Sequence, residues 1–193
     1  MQKQEQSMLN TLSSNKTAAI LAKDGFEQCE LIETRDALIS AGVNVHIVSL
    51  EPGTIIGWNG SKWGIEVDVD KIVSNVSAEE YDALILPGGL FNPDALLQDK
   101  DAIDFVKGFF KDAEMKPVVA INQGTWMLLE ADVLKNRLVA SFPTVLNRLR
   151  YAGAKLVDRD LVIDKGLYTS RSSHNLAALN QQVIQHLTKP RMH

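Results

Sequence analysis

Residues 117 to 134, PVVAINQGTWMLLEADVL, contain a sharp corner between a predicted strand and a predicted helix. The apolar run PVVAI is typical of a buried strand and stops abruptly at Asn122-Gln123-Gly124, after which a helical pattern begins almost at once. A corner this sharp between strand and helix is where many α/β enzymes present a nucleophile. The corner residue here is Asn122, whose amide is not a nucleophile. The stretch therefore indicates either an altered active site or an ordinary turn with a polar cap.

The length and composition are those of one soluble globular domain, and they exclude several classes of partner. The net charge is −4 with acids and bases interspersed, which argues against nucleic-acid binding. No run approaches the roughly 18 apolar residues of a membrane span. We predict a disordered arm over residues 1–15, a single domain over 16–188 and a flexible tail over 189–193. The single cysteine, Cys29, indicates a reducing compartment and predicts the cytoplasm.

Apolar strand-like runs alternate with amphipathic helical segments along the chain. This order predicts an α/β fold, with a mostly parallel sheet covered by helices on both faces. A small antiparallel excursion is expected around Trp58 and Trp63, which cover the sheet edge or form a subunit contact. Ligands bind in such folds where loops leave the carboxyl ends of the strands. The loops KDGFEQ, PGGLFNPD and NQGTW are therefore expected to meet at one rim.

The first two of these loops supply candidate site residues. Gly88 and Gly89 follow a buried strand, and their N–H groups suit a carboxylate or a developing oxyanion, although Pro-Gly-Gly is also a common plain turn. Glu27 stands at the start of a predicted helix, where an acid complements the helix dipole or faces the ligand rim.

The other potentially reactive side chains are interpreted as structural. Cys29 follows Glu27 by two residues, a rotation of about 200° on a helix, so the two side chains should diverge and Cys29 should pack in the core. His174 is expected to be solvated or to cap a helix. No spacing of ligand residues predicts a metal site, and no phosphate-binding motif predicts a nucleotide cofactor.

Four segments of the chain together resemble the ThiJ/PfpI family, which includes intracellular proteases, stress proteins and the Parkinson-associated deglycase. They are DGFEQCELIETRDALISAG, DALILPGGLFNPDALL, KPVVAINQGTWMLLEADVLKNRLVAS and GLYTSRSSHNLAALN. The resemblance implies a three-layer α/β/α, flavodoxin-like sandwich with a nucleophile-elbow corner. It also implies a homodimer or higher homo-oligomer, with subunit contacts at the Trp-bearing excursion and the elbow helix.

The resemblance also implies roles for individual residues. The family's elbow carries a nucleophilic Cys and a His, and these positions hold Asn122 and Gln123 here. The family's Glu in the GFE motif is matched to Glu27, its Gly-Gly turn to Gly88 and Gly89, and an orienting acid from a neighbouring subunit to Asp94. Thr125 stands for the usual Pro, and Asn175 stands where relatives often have Asp.

Because the elbow lacks Cys and His, we expect a non-catalytic family member that holds a small polar or carbonyl metabolite. The expected ligand groups are Glu27, Gly88, Gly89, Asn122 and Gln123, and cysteine peptidase, deglycase or glyoxalase activity is not expected. The alternative is an enzyme of hydratase, isomerase or lyase type that uses Glu27 as general acid and base. A cysteine enzyme would need Cys29 at the rim, within reach of Glu27.

Overall fold

The computed structural model describes residues 16–111, 116–140 and 145–188. The predicted arm at 1–15 and the predicted tail at 189–193 lie outside these residues. The helices are α1 Gln28–Ser40, α2 Asn92–Leu96, α3 Lys100–Gly108, α4 Thr125–Glu130, α5 Leu146–Tyr151 and α6 Leu176–Thr188. Short 3₁₀ turns cover Val73–Asn75, Ala78–Glu80, Asn122–Gly124 and Ser173–Asn175. None of the helices in these residues is long and apolar enough to cross a membrane.

The strands form one large sheet and two small ones. They are β1 Thr17–Leu21, β2 Phe26–Glu27, β3 Asn44–Ser49, β4 Thr54–Trp58, β5 Trp63–Asp68, β6 Lys71–Ile72, β7 Ala83–Leu86, β8 Val118–Ile121, β9 Leu138–Val139, β10 Lys155–Leu156, β11 Leu161–Asp164 and β12 Leu167–Ser170. The central sheet has the order β11-β12-β8-β7-β1-β3-β6. Its pairs are parallel except the hairpin of β11 and β12. The predicted mostly parallel sheet is therefore confirmed.

Side chains from the central strands alternate between two hydrophobic cores, one on each face of the sheet. In β8, Val118 and Ala120 belong to one core while Val119 and Ile121 belong to the other. Helices α3 and α4 cover the first core, and α1 and α6 cover the second. Successive residues of a strand point to opposite faces of the sheet, so a strand that is buried on both faces has a continuous apolar sequence. The predicted three-layer α/β/α sandwich is confirmed.

The predicted antiparallel excursion is confirmed as the hairpin of β4 and β5, and β2 adds a short parallel strand to it. Phe26 pairs with Gly57, and Glu27 pairs with Trp58. The buried Phe26 ring lies against Gly57, where an added Cβ would approach it to 2.9 Å. Glu27 and Trp58 therefore share the opposite face of this small sheet.

Candidate active site at the strand-to-helix corner

The corner after β8 has a strained backbone at Asn122. Asn122 has a φ of 48°, which a non-glycine residue adopts at a cost that is smaller for Asn. Thr125 stabilises the turn because its hydroxyl donates to the Asn122 carbonyl at 2.8 Å. Gly124 packs so closely that an added Cβ would lie 2.0 Å from the Leu86 carbonyl oxygen. Asn122 is thereby held at the rim of the sheet, partly exposed.

Glu30, on the first turn of α1, is the acid that reaches this corner. Its side chain is fully buried, and one carboxyl oxygen accepts a hydrogen bond from the Gly88 N–H at 2.7 Å. The other carboxyl oxygen accepts a short hydrogen bond from the Asn122 side-chain amide. Glu30 therefore joins the Gly-Gly turn to the elbow residue.

The surroundings of Glu30 raise the pKa of its carboxyl group to about 7. Burial is the main cause, because a charged carboxylate loses its hydration there, and the neighbouring charge of Glu27 adds to the effect. The hydrogen bonds from Gly88 and Asn122 act in the opposite direction, since they stabilise the carboxylate. A carboxyl group with a pKa near neutrality can both accept and donate a proton at physiological pH.

The Gly-Gly turn lies directly beside Glu30 and the elbow. Gly89 has a φ of 132° and packs against the Gly25 carbonyl oxygen, so that a Cβ would lie 2.2 Å from it. The N–H groups of this turn were predicted to be available to a ligand. In the structure the Gly88 N–H already donates to Glu30, and the Gly89 N–H makes a long contact of 3.5 Å with the Gln123 side-chain oxygen. A ligand that bound these N–H groups would have to displace one of these oxygens.

Asn92 holds the Gly-Gly turn in place, and the sequence analysis did not identify it. Its buried amide nitrogen donates to the Pro87 carbonyl at 3.0 Å and to the Gly88 carbonyl at 3.3 Å. Its side-chain oxygen accepts from the Lys23 N–H at 2.6 Å. Asn92 therefore ties the loop after β1 to the loop after β7.

Glu27 lies at the border of the site, and its side chain turns towards Cys29. Its backbone N–H donates to the Gly88 carbonyl at 3.0 Å, so the residue borders the site. Its carboxyl group, however, accepts a contact of 3.7 Å from the Cys29 thiol. The acid that accepts a hydrogen bond from the Asn122 side chain is Glu30. The assignment of Glu27 as a ligand group stays a prediction.

The prediction that Cys29 diverges from Glu27 is wrong. Glu27 is the N-cap of α1, with an extended ψ of 113°, so the rotation of about 100° per helical residue does not apply between it and Cys29. Cys29 still packs against the core on its other side, as predicted. Burial, followed by the charges of Glu27 and Glu30, raises the pKa of the thiol to about 11.

A signal for Glu30 was present in the sequence. The buried residues of α1 include Leu31, Thr34 and Leu38, and Glu30 lies on the same face, four residues before Thr34. An acid on the apolar face of a helix needs a polar partner, and the loops at the rim supply one. Glu27, which precedes the helix, carries no such signal.

Two further predicted residues, Asp94 and His174, make no hydrogen bond to Glu30 or Asn122 in the part of the chain that the structure describes. Asp94 is exposed on α2, and its role as an orienting acid for another subunit stays a prediction. His174 is exposed in the turn before α6, and its ring nitrogen lies 3.3 Å from the Ser172 hydroxyl. Within residues 16–111, 116–140 and 145–188, no group of three His, Cys, Asp or Glu side chains is arranged to hold a metal ion.

The sequence model of the DJ-1/PfpI family matches residues 16–186. The chain belongs to this family. It is 34% identical over 170 residues to the putative cysteine protease YraA of Bacillus subtilis, covering 88% of this chain and 97% of that one. It is 33% identical over 172 residues to protein/nucleic acid deglycase 2 of Escherichia coli, covering 89% of this chain and 97% of that one.

Solved structures of DJ-1/PfpI proteins have the same fold. A two-domain protein from Anabaena variabilis, with DJ-1/ThiJ/PfpI-like and ferritin-like domains, superposes with a TM-score of 0.82 at 27% identity. The match covers 92% of this chain and 52% of that one. The ThiJ/PfpI domain protein of Brachyspira murdochii superposes with a TM-score of 0.80 at 22% identity, over 91% of this chain and 97% of that one.

These relatives correct the functional prediction. The expectation of a non-catalytic protein without peptidase or deglycase activity is wrong, because relatives at about this identity are named as a deglycase and as a putative cysteine protease. That expectation rested on Asn122 and Gln123 alone. It overlooked Glu30, whose buried carboxyl group beside the elbow can transfer protons without a nucleophilic cysteine.

Proposed function

We propose that the chain is an enzyme that removes small carbonyl compounds from amines or thiols by proton transfer through Glu30. The observation that carries this proposal is the position of Glu30, which is fully buried beside the elbow residue with a pKa raised to about 7. The name of the Escherichia coli relative, protein/nucleic acid deglycase 2, supports the choice of substrate.

The first adduct of an aldehyde with an amine is a carbinolamine, in which one carbon carries both a hydroxyl group and the nitrogen. Glu30, as carboxylate, accepts the hydroxyl proton while the carbon–nitrogen bond breaks, and the electron pair of the O–H bond forms the carbonyl. The same carboxyl group then donates that proton to the leaving nitrogen. The products are the free carbonyl compound and the amine, and no covalent enzyme intermediate is needed. The thiol adduct is a hemithioacetal, in which the carbon–sulfur bond breaks and the sulfur takes up the proton in the same way.

Asn122 controls access to Glu30 in this scheme. Its amide covers one carboxyl oxygen in the structure, while Asn122 and Gln123 themselves are partly exposed. The substrate hydroxyl group takes the place of the Asn122 amide on Glu30, and the released amide then donates to the developing carbonyl oxygen.

Cys29 does not serve this reaction as a nucleophile. Its thiol pKa of about 11 leaves it protonated at neutral pH, and the carboxyl groups of Glu27 and Glu30 oppose its ionisation. Cys29 lies in the first turn of α1, where a helix N-terminus favours a thiolate, but burial and the two carboxyl groups outweigh that effect. The proton-transfer scheme is therefore consistent with both acids near Cys29.

The test is the release of the free carrier from methylglyoxal adducts of N-acetylcysteine and N-acetylarginine, followed by NMR. We expect Glu30→Gln to lower kcat/KM by at least 100-fold, the order of magnitude for losing a general acid and base. The wild-type pH profile should show an ionisation near pH 7, the pKa of Glu30, that is absent from Glu30→Gln.

Glu33→Gln is the matched control, because Glu33 lies on the same helix, one turn further along, and is exposed. It should retain wild-type kcat/KM. The proposal is wrong if Glu30→Gln, with a native circular dichroism spectrum, retains more than half of the wild-type activity. It is also wrong if wild type releases no carrier from any adduct.

We also propose that the protein works as a homo-oligomer in the cytoplasm. The elbow helix α4, the resemblance of the chain to oligomeric family members and the single cysteine support this. Size-exclusion chromatography with light scattering tests the assembly, and a monomer at micromolar concentration would contradict it.

A further inference from the structure

Three aromatic side chains, Trp58, Trp63 and Phe91, form a cluster at the rim of the site. The ring centroids of Trp58 and Trp63 are 5.6 Å apart in an edge-to-face arrangement. Phe91 stacks on Trp63 at 5.7 Å with an interplanar angle of 25°, and it meets Trp58 edge-to-face at 6.3 Å. We call these three residues the aromatic cluster.

The aromatic cluster adjoins both Glu27 and the Gly-Gly turn. Glu27 is paired with Trp58, and Trp58 with Trp63, so the three side chains share one face of the small sheet. Phe91 follows Gly89 by two residues and lies over Gly25, where an added Cβ would approach it to 2.8 Å. The aromatic cluster therefore adjoins the Gly-Gly turn, whose Gly88 N–H donates to Glu30.

Two of the three rings are far more exposed than their size predicts. Trp63 is 48% exposed and Phe91 is 47% exposed, whereas Phe26 on the opposite face of the small sheet is fully buried. Packing alone would favour covering such rings, since each large aromatic side chain contributes strongly when buried. Exposed apolar surface beside a functional site is typical of a binding surface.

A carboxyl group beside aromatic faces is suited to binding an organic cation. The faces of Trp and Phe rings attract cations, and a guanidinium group also stacks on them because it is planar. The carboxyl group of Glu27 supplies the opposite charge and hydrogen-bond acceptors for its N–H groups. A compact, strongly hydrated ammonium group stacks less well on such rings.

We infer that Glu27 and the aromatic cluster form a specificity subsite that binds the guanidinium group of arginine-derived adducts. This inference rests on the proposed function, since it names the amine from which the carbonyl compound is removed. The adduct lies with the plane of its guanidinium group on Trp63 and Phe91, and the carbinol carbon, which is bonded to one guanidinium nitrogen, is directed towards Glu30. Glu30 breaks that carbon–nitrogen bond, and the released guanidine takes up the proton from Glu30 to become a guanidinium ion.

Charge argues for a guanidinium group rather than a nucleotide base at this subsite. A base would stack equally well on the rings, but its phosphate would meet the Glu27 carboxyl group and a chain with a net charge of −4. A second copy of the chain is the other possible occupant, and the test below includes it.

The direct test is binding of Nα-acetylarginine amide, followed by tryptophan fluorescence in a Trp126→Phe background. The indole N–H of Trp126 is buried and has no hydrogen-bond partner among the described residues, so this change removes a background signal without removing a hydrogen bond. We expect Trp63→Leu and Glu27→Gln each to raise the Kd by about tenfold. Tyr151→Leu is the control, because Tyr151 is 92% exposed and lies outside the cluster, and it should leave the Kd unchanged.

The kinetic test compares two adducts of methylglyoxal. Trp63→Leu should raise KM for the N-acetylarginine adduct by about tenfold and leave its kcat unchanged. Both constants should stay unchanged for the N-acetylcysteine adduct, which carries no cationic group. Equal effects on both adducts, tighter binding of guanosine monophosphate than of the arginine amide, or a change of oligomeric state in Trp63→Leu would each overturn the inference.

Failure of this inference is distinguishable from failure of the proposed function. If no adduct is consumed but binding of the arginine amide depends on Trp63 and Glu27, the result supports the subsite and contradicts the proposed reaction. If adducts are consumed in a manner that depends on Glu30 while Trp63→Leu changes neither Kd nor KM, only the subsite falls.

Discussion

Glu30 binds its proton more tightly in the folded chain than in the unfolded chain. Its pKa is about 7 when folded, against an ordinary value of 4.5. Between these values the folded state binds more protons, so stability falls as pH rises. The stabilising contribution is fully present below about pH 4.5 and is lost by about pH 7. One pKa unit corresponds to about 1.4 kcal/mol, so the loss is about 3 kcal/mol.

We expect Glu30→Gln to remove this pH dependence. A neutral amide keeps the size of the side chain and an oxygen for the Gly88 N–H, but it has no proton to lose. Urea unfolding of wild type and variant at pH 5 and pH 8 measures the effect. Wild type should lose about 2.5 kcal/mol more than the variant over this range, because part of the effect is already lost at pH 5. Parallel pH profiles for the two proteins would contradict this prediction.

The choice between Glu27 and Glu30 is the point at which reasoning from sequence failed at the residue scale. Asn122, Gln123, Gly88 and Gly89 were identified correctly as neighbours from the rule that loops meet at the carboxyl ends of parallel strands. Which acid reaches them depends on where α1 begins, and helix ends are poorly determined by sequence patterns. Glu27 and Glu30 are three residues apart, and the start of α1 determines which of their carboxyl groups is buried.

At the scale of elements, the elbow depends on the close contact between the start of α4 and the end of β7. Gly124 has a helical φ of −56°, which alanine adopts without strain. An alanine Cβ would nevertheless lie 2.0 Å from the Leu86 carbonyl oxygen, which belongs to the backbone. We expect Gly124→Ala to destabilise the protein by about 3 kcal/mol, the upper range for overpacking, as measured by urea unfolding.

Gly60→Ala provides the comparison for this prediction. Gly60 has a φ of 88° with open space around its Cβ position, so only backbone strain, about 1 kcal/mol, opposes the substitution. If Gly124→Ala is no more destabilising than Gly60→Ala, the close contact of α4 with β7 does not hold the elbow in place.

Most of the helices and strands follow from the sequence, and the exceptions have a common cause. The apolar runs of β7 and β8 were predicted because burial on both faces leaves a continuous pattern. The short strand β2 was missed, since its two residues are extended only because they pair with β4. The short helix α2 was likewise treated as a loop, being too short to show a period.

At the scale of the whole molecule, the central strands should be its most protected part. Strands β1, β7 and β8 lie inside the sheet and between two hydrophobic cores. Native-state hydrogen exchange should therefore be slowest in these strands, whose amides open only on global unfolding. The small sheet of β2, β4 and β5 has exposed residues and should exchange through local opening.

Exchange measured by mass spectrometry checks this order. Amides that pair β4 with β5 should exchange at least tenfold faster than those that pair β1 with β7, because a local opening that is about 1.4 kcal/mol easier gives that ratio. Equal rates in both sheets would show that the small sheet unfolds only together with the central one.

The function of the whole chain was harder to predict than its fold. The fold depends on apolar periodicity, which is spread over many residues and tolerates local errors. The activity was inferred from two positions, Asn122 and Gln123, and from the absence of a nucleophile there. That absence excluded one mechanism, but the buried acid that supports another is visible only when α1 is placed against the elbow.

The arrangement of the central sheet also has a consequence for biosynthesis. Strand β8 pairs with β12, so residues 118–121 find their outer neighbour only about fifty positions later, at residues 167–170. While the chain emerges from the ribosome, β8 therefore presents an apolar, unpaired edge until almost all of the protein has been made. Strand pairs between such distant segments form slowly, and hydrophobic surface stays exposed until they have formed. A nascent chain that stalls before Leu167 has an unpaired β8 edge, which favours aggregation. Synthesis of the last strand, β12, removes this edge because β12 pairs with β8.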